Sequence, residues 1–264
     1  MNKIAFIGTG NMGGAILRAV CKKADPASVW ISNRTRSRSE ALAEELGCRA
    51  AADNVSCAKD ADIVFIGVKP YMAAAVLREI SPVIADESVI VSMAAGISGE
   101  SIRDALRRPN PVVRILPNTP CAIGEGLVLI SPFGNVPRET LAALGDLLSE
   151  CGKLGCLDES HAEAGMTIGG CTPAFTYMFI EALADGAVQT GLTRADSLRW
   201  AAQAVAGSAE MVLQSGRHPG ELKDAVCSPG GSTIEGVRIL EESAFRGAVM
   251  DAVIAAFEKS RRLG

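Results

Sequence analysis

Apolar runs of strand length recur through the first half of the chain, at residues 4–8, 29–32, 63–68, 89–93, 112–116 and 127–130. Between most of them lie turn residues or stretches whose apolar positions repeat with helical period, at 12–23, 37–46, 72–80 and 98–106, the last with Ser98 placed as an N-cap. Alternation of this kind predicts a parallel sheet covered by helices. Residues 137–151 add one more amphipathic helix. After Leu157 the pattern changes. Residues 159–168, 173–190, 193–215, 232–242 and 245–263 all read as helix, and nothing reads as strand. The expected fold is therefore α/β: a Rossmann-type, doubly wound, mostly parallel sheet in 1–158, followed by an all-α domain in 159–264. The segment Ala174–Val188 has so few polar positions that it should be buried on most sides. A bundle of such helices favours burial against a second copy of the chain, hence a homo-oligomer.

The first strand runs directly into Ile7-Gly8-Thr9-Gly10-Asn11-Met12-Gly13 and then into a helix. In that context G-x-G-x-x-G is a dinucleotide-binding loop. Gly8 allows the tight turn, Gly10 admits a pyrophosphate, and Gly13 lets helix and strand pack closely, while the helix start offers its N–H groups to the anion. The second strand ends in Ser32-Asn33-Arg34-Thr35-Arg36. An NAD site usually places a carboxylate there. None is present, whereas Asn33, Arg34 and Thr35 suit a 2′-phosphate, with Arg36 or Arg38 adding charge, so NADPH is favoured over NADH. Two further strand ends, Val68-Lys69-Pro70 and Ala94-Ala95-Gly96, stop in small or turn-forming residues. Together with Pro117-Asn118-Thr119-Pro120 they are expected to line the nicotinamide half of the site, since ligands of open parallel sheets bind beyond the strands' carboxyl ends. Lys69 is equally consistent with an exposed lysine at a strand end.

A second glycine loop, Ser228-Pro229-Gly230-Gly231-Ser232-Thr233, stands immediately before a helical run. Its N–H groups suit an anion of carboxylate size, or else Ser232 or Thr233 simply caps the helix.

The run Leu222-Lys223-Asp224-Ala225-Val226-Cys227-Ser228-Pro229-Gly230-Gly231-Ser232-Thr233-Ile234-Glu235-Gly236-Val237 closely resembles the signature of pyrroline-5-carboxylate reductases. The likeness extends over nearly the whole chain and includes Phe6–Gly13, Val68–Pro70, Ala94–Gly96, Pro117–Pro120, Pro173-Ala174-Phe175 and Phe179-Ile180-Glu181-Ala182. The resemblance implies NADPH-dependent reduction of 1-pyrroline-5-carboxylate to L-proline and a helical domain that interlocks with its counterpart in a dimer. It implies that Ser228, Gly230, Gly231, Ser232 and Thr233 hold the substrate carboxylate and that Thr233 contacts the ring nitrogen. With less weight, it places Asn54 at the cofactor and Glu159 at the substrate. Ala225 departs from the family, some members of which carry an asparagine there.

The remaining composition narrows the field. Lys and Arg number 26 against 30 Asp and Glu, a formal charge of −4, so no overall cationic field favours nucleic acid or an anionic membrane. No apolar segment has the length of a transmembrane helix or the form of a signal-peptide core, and a cytoplasmic protein is expected. The eight cysteines contain no C-x-x-C pair, which argues against a disulfide framework and against a metal site. His161 and His218 are the only histidines, and both read as surface or capping residues. That poverty of acid–base groups suits a cyclic imine, which can enter already protonated and so develops no oxyanion. A β-hydroxyacid dehydrogenase would need a catalytic lysine where this chain has Gly165–Pro173, and no lysine occurs there. A non-catalytic NADPH sensor with the same domains is the other rival.

Overall fold

Eight strands form one sheet in the order β3-β2-β1-β4-β5-β6-β7-β8 in the computed structural model, which describes residues 3–262. The strands are β1 (Ile4–Ile7), β2 (Val29–Ser32), β3 (Arg49–Ala50), β4 (Ile63–Ile66), β5 (Val89–Ser92), β6 (Val112–Pro117), β7 (Gly126–Phe133) and β8 (Gly152–Cys156). β1 to β6 run parallel, as the apolar runs predict. β7 is antiparallel to β6, because residues 118–125 are too few for the crossover that a parallel return requires. β7 and β8 are parallel again. The sequence pattern misses β3, which is two residues long and exposed, and β8, whose Gly152-Lys153-Leu154-Gly155-Cys156 has neither an apolar run nor clean alternation.

Helices α1 (Asn11–Val20), α2 (Arg36–Leu46), α3 (Asn54–Ala58), α4 (Pro70–Ile80), α5 (Gly99–Leu106) and α6 (Arg138–Leu148) cover the two faces. Every residue of β1 is buried, with Ile4 and Phe6 facing the core that holds Ile16, Leu17 and Leu148, and Ala5 and Ile7 facing the core that holds Leu77, Ile80 and Ile102. Phe6 and Phe65 stack at a centroid separation of 4.3 Å, which fastens β1 to β4. Ser98 caps α5 by accepting from the Ser101 N–H at 3.1 Å, as expected. The unpredicted α3 is five residues long and rests on a capping box between Asp53 and Ser56.

The expected helix over 159–168 is three pieces: a 3₁₀ turn at Glu159–His161, α7 (Ala162–Met166) and a π-helical stretch at Thr167–Cys171. By compactness this segment belongs to the first unit, which runs to Cys171 and takes back the chain from Phe257; Thr172–Ala256 forms the second. The reason is an ion-pair cluster. Arg114 on β6, with its side chain 4% exposed, reaches Glu159 at 3.4 Å and Glu163 at 3.2 Å, and Ser260 donates to Glu163 at 2.8 Å.

The second unit holds α8 (Thr172–Gln189), α9 (Arg194–Ser215), α10 (Pro219–Ala225), α11 (Ser232–Glu242) and most of α12 (Phe245–Arg261), whose expected last residue, Leu263, lies outside the described residues. Its only buried residues are Ala184 and Ser197. The expectation that Ala174–Val188 is buried on most sides thus fails within a single chain, where Met178 is 70% exposed. Trp200, Leu213 and Met250 are more than half exposed too. Covering that much apolar surface, at ~25 cal/mol per Å², is the natural source of this unit's stability.

Gly152 opens β8 at φ +128°, and a Cβ there would lie 2.2 Å from the Gly126 carbonyl oxygen. Gly152→Ala is expected to combine ~1–3 kcal/mol of overpacking with ~1–3 kcal/mol of backbone strain. A urea midpoint unchanged from wild type would contradict this placement of β8.

Candidate dinucleotide and carboxylate sites

The sheet order reverses where β1 lies between β2 and β4, so the carboxyl ends of β1 and β4 open a crevice. Gly8 turns the chain there with φ +89°. A Cβ on Gly13 would stand 2.4 Å from the Gly8 carbonyl oxygen, and one on Gly67 2.3 Å from it. Gly10 serves differently: its Cβ direction is open, and no side chain caps α1. The α1 start is therefore bare toward the crevice, and an anion suits it.

A cavity of about 750 Å³ lies over this loop, lined by Gly10, Asn11, Met12 and Gly13, by Arg34, Thr35 and Arg38, and by Lys69, Pro70, Ala94 and Ala95. Of the expected cofactor residues, Ile7 and Asn54 line an adjoining cavity instead, while Gly8, Asn33 and Val68 border both. Thr9 is buried and Gly96, at φ +72°, forms a turn; neither borders either of these two cavities. Asn118 is likewise turned to structure, accepting from the Leu127 N–H at 2.8 Å and donating to the Gly169 carbonyl at 3.1 Å.

Charge at the end of β2 is more selective than its composition suggests. Arg36 pairs with Glu40 at 2.8 Å, whereas Arg34 and Arg38 are exposed and their guanidiniums make no ion pair or hydrogen bond among the described residues. Arg38, one turn into α2, thus supplies the second cation, and the Thr35 hydroxyl stays free because it does not cap α2. Asn33 is more constrained than expected. Its Oδ1 accepts from the Thr9 N–H at 2.7 Å and its Nδ2 donates to the Thr9 hydroxyl at 2.6 Å, tying the glycine loop to the end of β2. Asn54 bridges the Ser32 hydroxyl at 2.8 Å and Glu79 at 2.9 Å. Glu79, which completes the bridge through Asn54, carries no sequence motif that announces it.

In the second unit, Ser228–Gly231 is a turn closed by the Gly231 N–H donating to the Ser228 carbonyl at 3.0 Å, with Gly230 at φ +69°. The N-cap of α11 is Gly231, not Ser232 or Thr233, and no side chain caps the helix. The hydroxyls of Ser228, Ser232 and Thr233 are exposed and make no hydrogen bond among the described residues. Hydroxyls in a first helical turn ordinarily serve the helix's own N–H groups. Here both kinds of donor are left outward-facing, as a carboxylate ligand requires.

Glu159 stands in the first unit and is engaged there: it accepts from the Gly99 N–H at 2.5 Å and pairs with Arg114. His218 caps α10, one of the two roles expected of it, its Nδ1 accepting from the Gly220 N–H at 3.0 Å, and His161 bonds the Ser160 hydroxyl at 3.2 Å. The scattered cysteines meet in part: Cys21 and Cys48 lie with sulfurs 3.3 Å apart, and that bond raises the Cys21 thiol and lowers Cys48. Burial pushes Cys57 up to about 12. Among the described residues no group of His, Cys, Asp and Glu is arranged for a metal, and no helix is long and apolar enough to cross a membrane.

Residues 159–263 match the family model described as pyrroline-5-carboxylate reductase dimerisation, and residues 3–96 match one described as NADP oxidoreductase, coenzyme F420-dependent. The pyrroline-5-carboxylate reductase of Escherichia coli (strain K12) is 41% identical over 99% of this chain and 98% of its own. The crystal structure of Plasmodium falciparum pyrroline carboxylate reductase with NADP bound is 31% identical, covers 99% of this chain and 98% of its own, and superposes with a TM-score of 0.88. That of a pyrroline-5-carboxylate reductase from Coxiella burnetii, 27% identical, covers 100% and 98% with a TM-score of 0.93. An α/β unit with a dinucleotide loop, an uncapped helix behind a second glycine turn, and relatives of this identity along the full length place the chain in the pyrroline-5-carboxylate reductase family.

Proposed function

We propose that the protein reduces 1-pyrroline-5-carboxylate to L-proline with NADPH, the last step of proline biosynthesis, acting as a homodimer or larger homo-oligomer. The observation that carries the reading is the bare start of α11, with the Thr233 hydroxyl unengaged beside it. The division of labour follows the two halves of the chain: 1–158 holds the cofactor, and 159–264 binds substrate and pairs with its counterpart. The dimerisation match and the almost coreless second unit both support assembly. The eight unbridged cysteines suit a cytoplasmic setting, which is part of the same reading.

The residues fit the cofactor. The crevice has room for a pyrophosphate where Gly10 lacks a Cβ, and two unpaired guanidiniums stand where a 2′-phosphate would lie. Bound NADPH supplies the hydride. The chain's own residues position it: the loop Gly8–Gly13 holds the pyrophosphate through N–H groups, Arg34, Thr35 and Arg38 hold the 2′-phosphate, and Lys69, Ala94 and Ala95 border the space toward the nicotinamide. Asn33 and Thr9 keep the loop in place. In the second unit, Ser228, Gly230, Gly231 and Ser232 hold the substrate carboxylate, and the Thr233 hydroxyl accepts from the ring N–H of the iminium. As the imine carbon is reduced, the nitrogen would take up the C=N electron pair and keep the proton it brought as the amine N–H. No side chain has to give up a proton, which agrees with both histidines being occupied elsewhere; orientation carries the rate. Glu159 is assigned to holding Gly99 at the start of α5 rather than to the substrate.

Falling NADPH absorbance on addition of 1-pyrroline-5-carboxylate is the direct test; binding of NADPH with none oxidised would instead describe a sensor. Thr233→Ala is expected to lower kcat/KM for the pyrroline about tenfold or more, the worth of a hydrogen bond to a charged group, with NADPH affinity intact. Unaltered pyrroline kinetics would remove Thr233 from the site. Replacing Arg34 and Arg38 together by alanine should raise the KM for NADPH by about a hundredfold or more and leave that for NADH within a few-fold, since each loses about 1.5–3 kcal/mol of charge-assisted bonding. Arg36→Ala should leave both KM values within a few-fold, since Arg36 is already paired with Glu40.

A further inference from the structure

The two cavities of the first unit share one ridge, and at its top stands Tyr71, the second residue of α4 and 82% exposed. Its ring makes no aromatic, cation–π or hydrogen-bond contact among the described residues. The larger cavity contains the glycine loop and the cations, so it receives the phosphates. The smaller, of about 520 Å³, contains none of Gly10 to Gly13. It has an apolar wall of Val68, Met72, Ala75 and Val76, and a polar rim of Asn54 and Glu79. Arg34 borders both. A ribose whose 2′-phosphate meets Arg34 therefore carries its base toward the smaller cavity, and a flat apolar-faced heterocycle with polar edges matches that wall and rim.

We propose that Tyr71 is a cofactor-binding residue whose ring stacks on the adenine of NADPH, closing the slot between Val68, Met72 and Asn54. This rests on the NADPH reading above. An aromatic held on Pro70, which fixes the first turn of α4, presents its face at little conformational cost, and stacking of a base on an aromatic ring contributes about 1–3 kcal/mol.

The test uses the adenine half alone. Adenosine 2′,5′-bisphosphate is titrated against wild type, Tyr71→Ala and Tyr71→Phe, each checked for an unchanged thermal midpoint, as an exposed site permits. Expected are about tenfold weaker binding to Tyr71→Ala, near-wild-type binding to Tyr71→Phe, and a rise in the KM for NADPH that exceeds any fall in kcat. Equal binding by wild type and Tyr71→Ala overturns the stacking role while leaving NADPH use intact. Equal losses in the two variants would show that the hydroxyl, not the ring, makes the contact, and would overturn it as well. A wild-type protein that binds neither the bisphosphate nor NADPH would fell the cofactor reading and the stacking role together.

Discussion

Three stretches of backbone meet at the carbonyl of Gly8, and the cofactor half of the molecule depends on that meeting. The oxygen sits where side chains on Gly13 and Gly67 would begin, 2.4 and 2.3 Å from the Cβ positions. Only because both lack one can the start of α1 and the end of β4 close on the turn after β1. The closeness has two consequences. It aims the unpaired N–H groups of α1 into the crevice, and it leaves the sheet's reversal point open between β1 and β4. The bond pair between Asn33 and Thr9 then fixes the loop against β2, so that the anion site and the end of β2 move as one body.

Once the loop is placed, cofactor choice becomes a matter of which charges are left over. The chain carries a net charge of −4, and its long-range field does not attract an anion. Locally the balance reverses, because Arg36 is neutralised by Glu40 one turn on while Arg34 and Arg38 remain uncompensated. A count of arginines would assign three cations to the phosphate; the spacing of Glu40 removes the middle one. On the proposed reading, selectivity for the 2′-phosphate resides in pairing, not in number.

That distinction also marks what could be read in the sequence. The strands β1, β2, β4, β5 and β6 and the position of the dinucleotide loop followed from apolar runs, because those strands are largely buried on both faces and their residues have no competing task. β8 was not legible, since its place is set by Gly126 and Gly152 backbones touching, a long-range fact that leaves only glycines in the sequence. The second glycine loop was legible as an anion site or as a cap, and the geometry removes the cap, with Gly231 at that position and no side chain bonded to the helix start. Glu159 shows the opposite case: an acidic residue near a domain joint reads as available until Arg114, forty-five positions earlier in the chain, is seen beside it. Tyr71 was invisible, as an exposed aromatic on a helix has no meaning until two cavities are found to share it.

The second unit extends the same reasoning from residues to assembly. A helical unit with Ala184 and Ser197 as its only buried residues cannot repay the conformational entropy of ordering five helices, at ~1–2 kcal/mol per residue, from its own packing. Its apolar faces must be covered, and the dimerisation match supports the proposal that a second copy of the chain covers them. The turn at Ser228–Gly231 and the start of α11 belong to that unit, so the outward N–H groups and the Thr233 hydroxyl hold their geometry only while the surrounding helices are packed. If the substrate carboxylate binds at this turn as proposed, association contributes to its site through the order it imposes on α10 and α11. The cofactor site does not share this dependence, because the sheet that carries it has its own two-layered core.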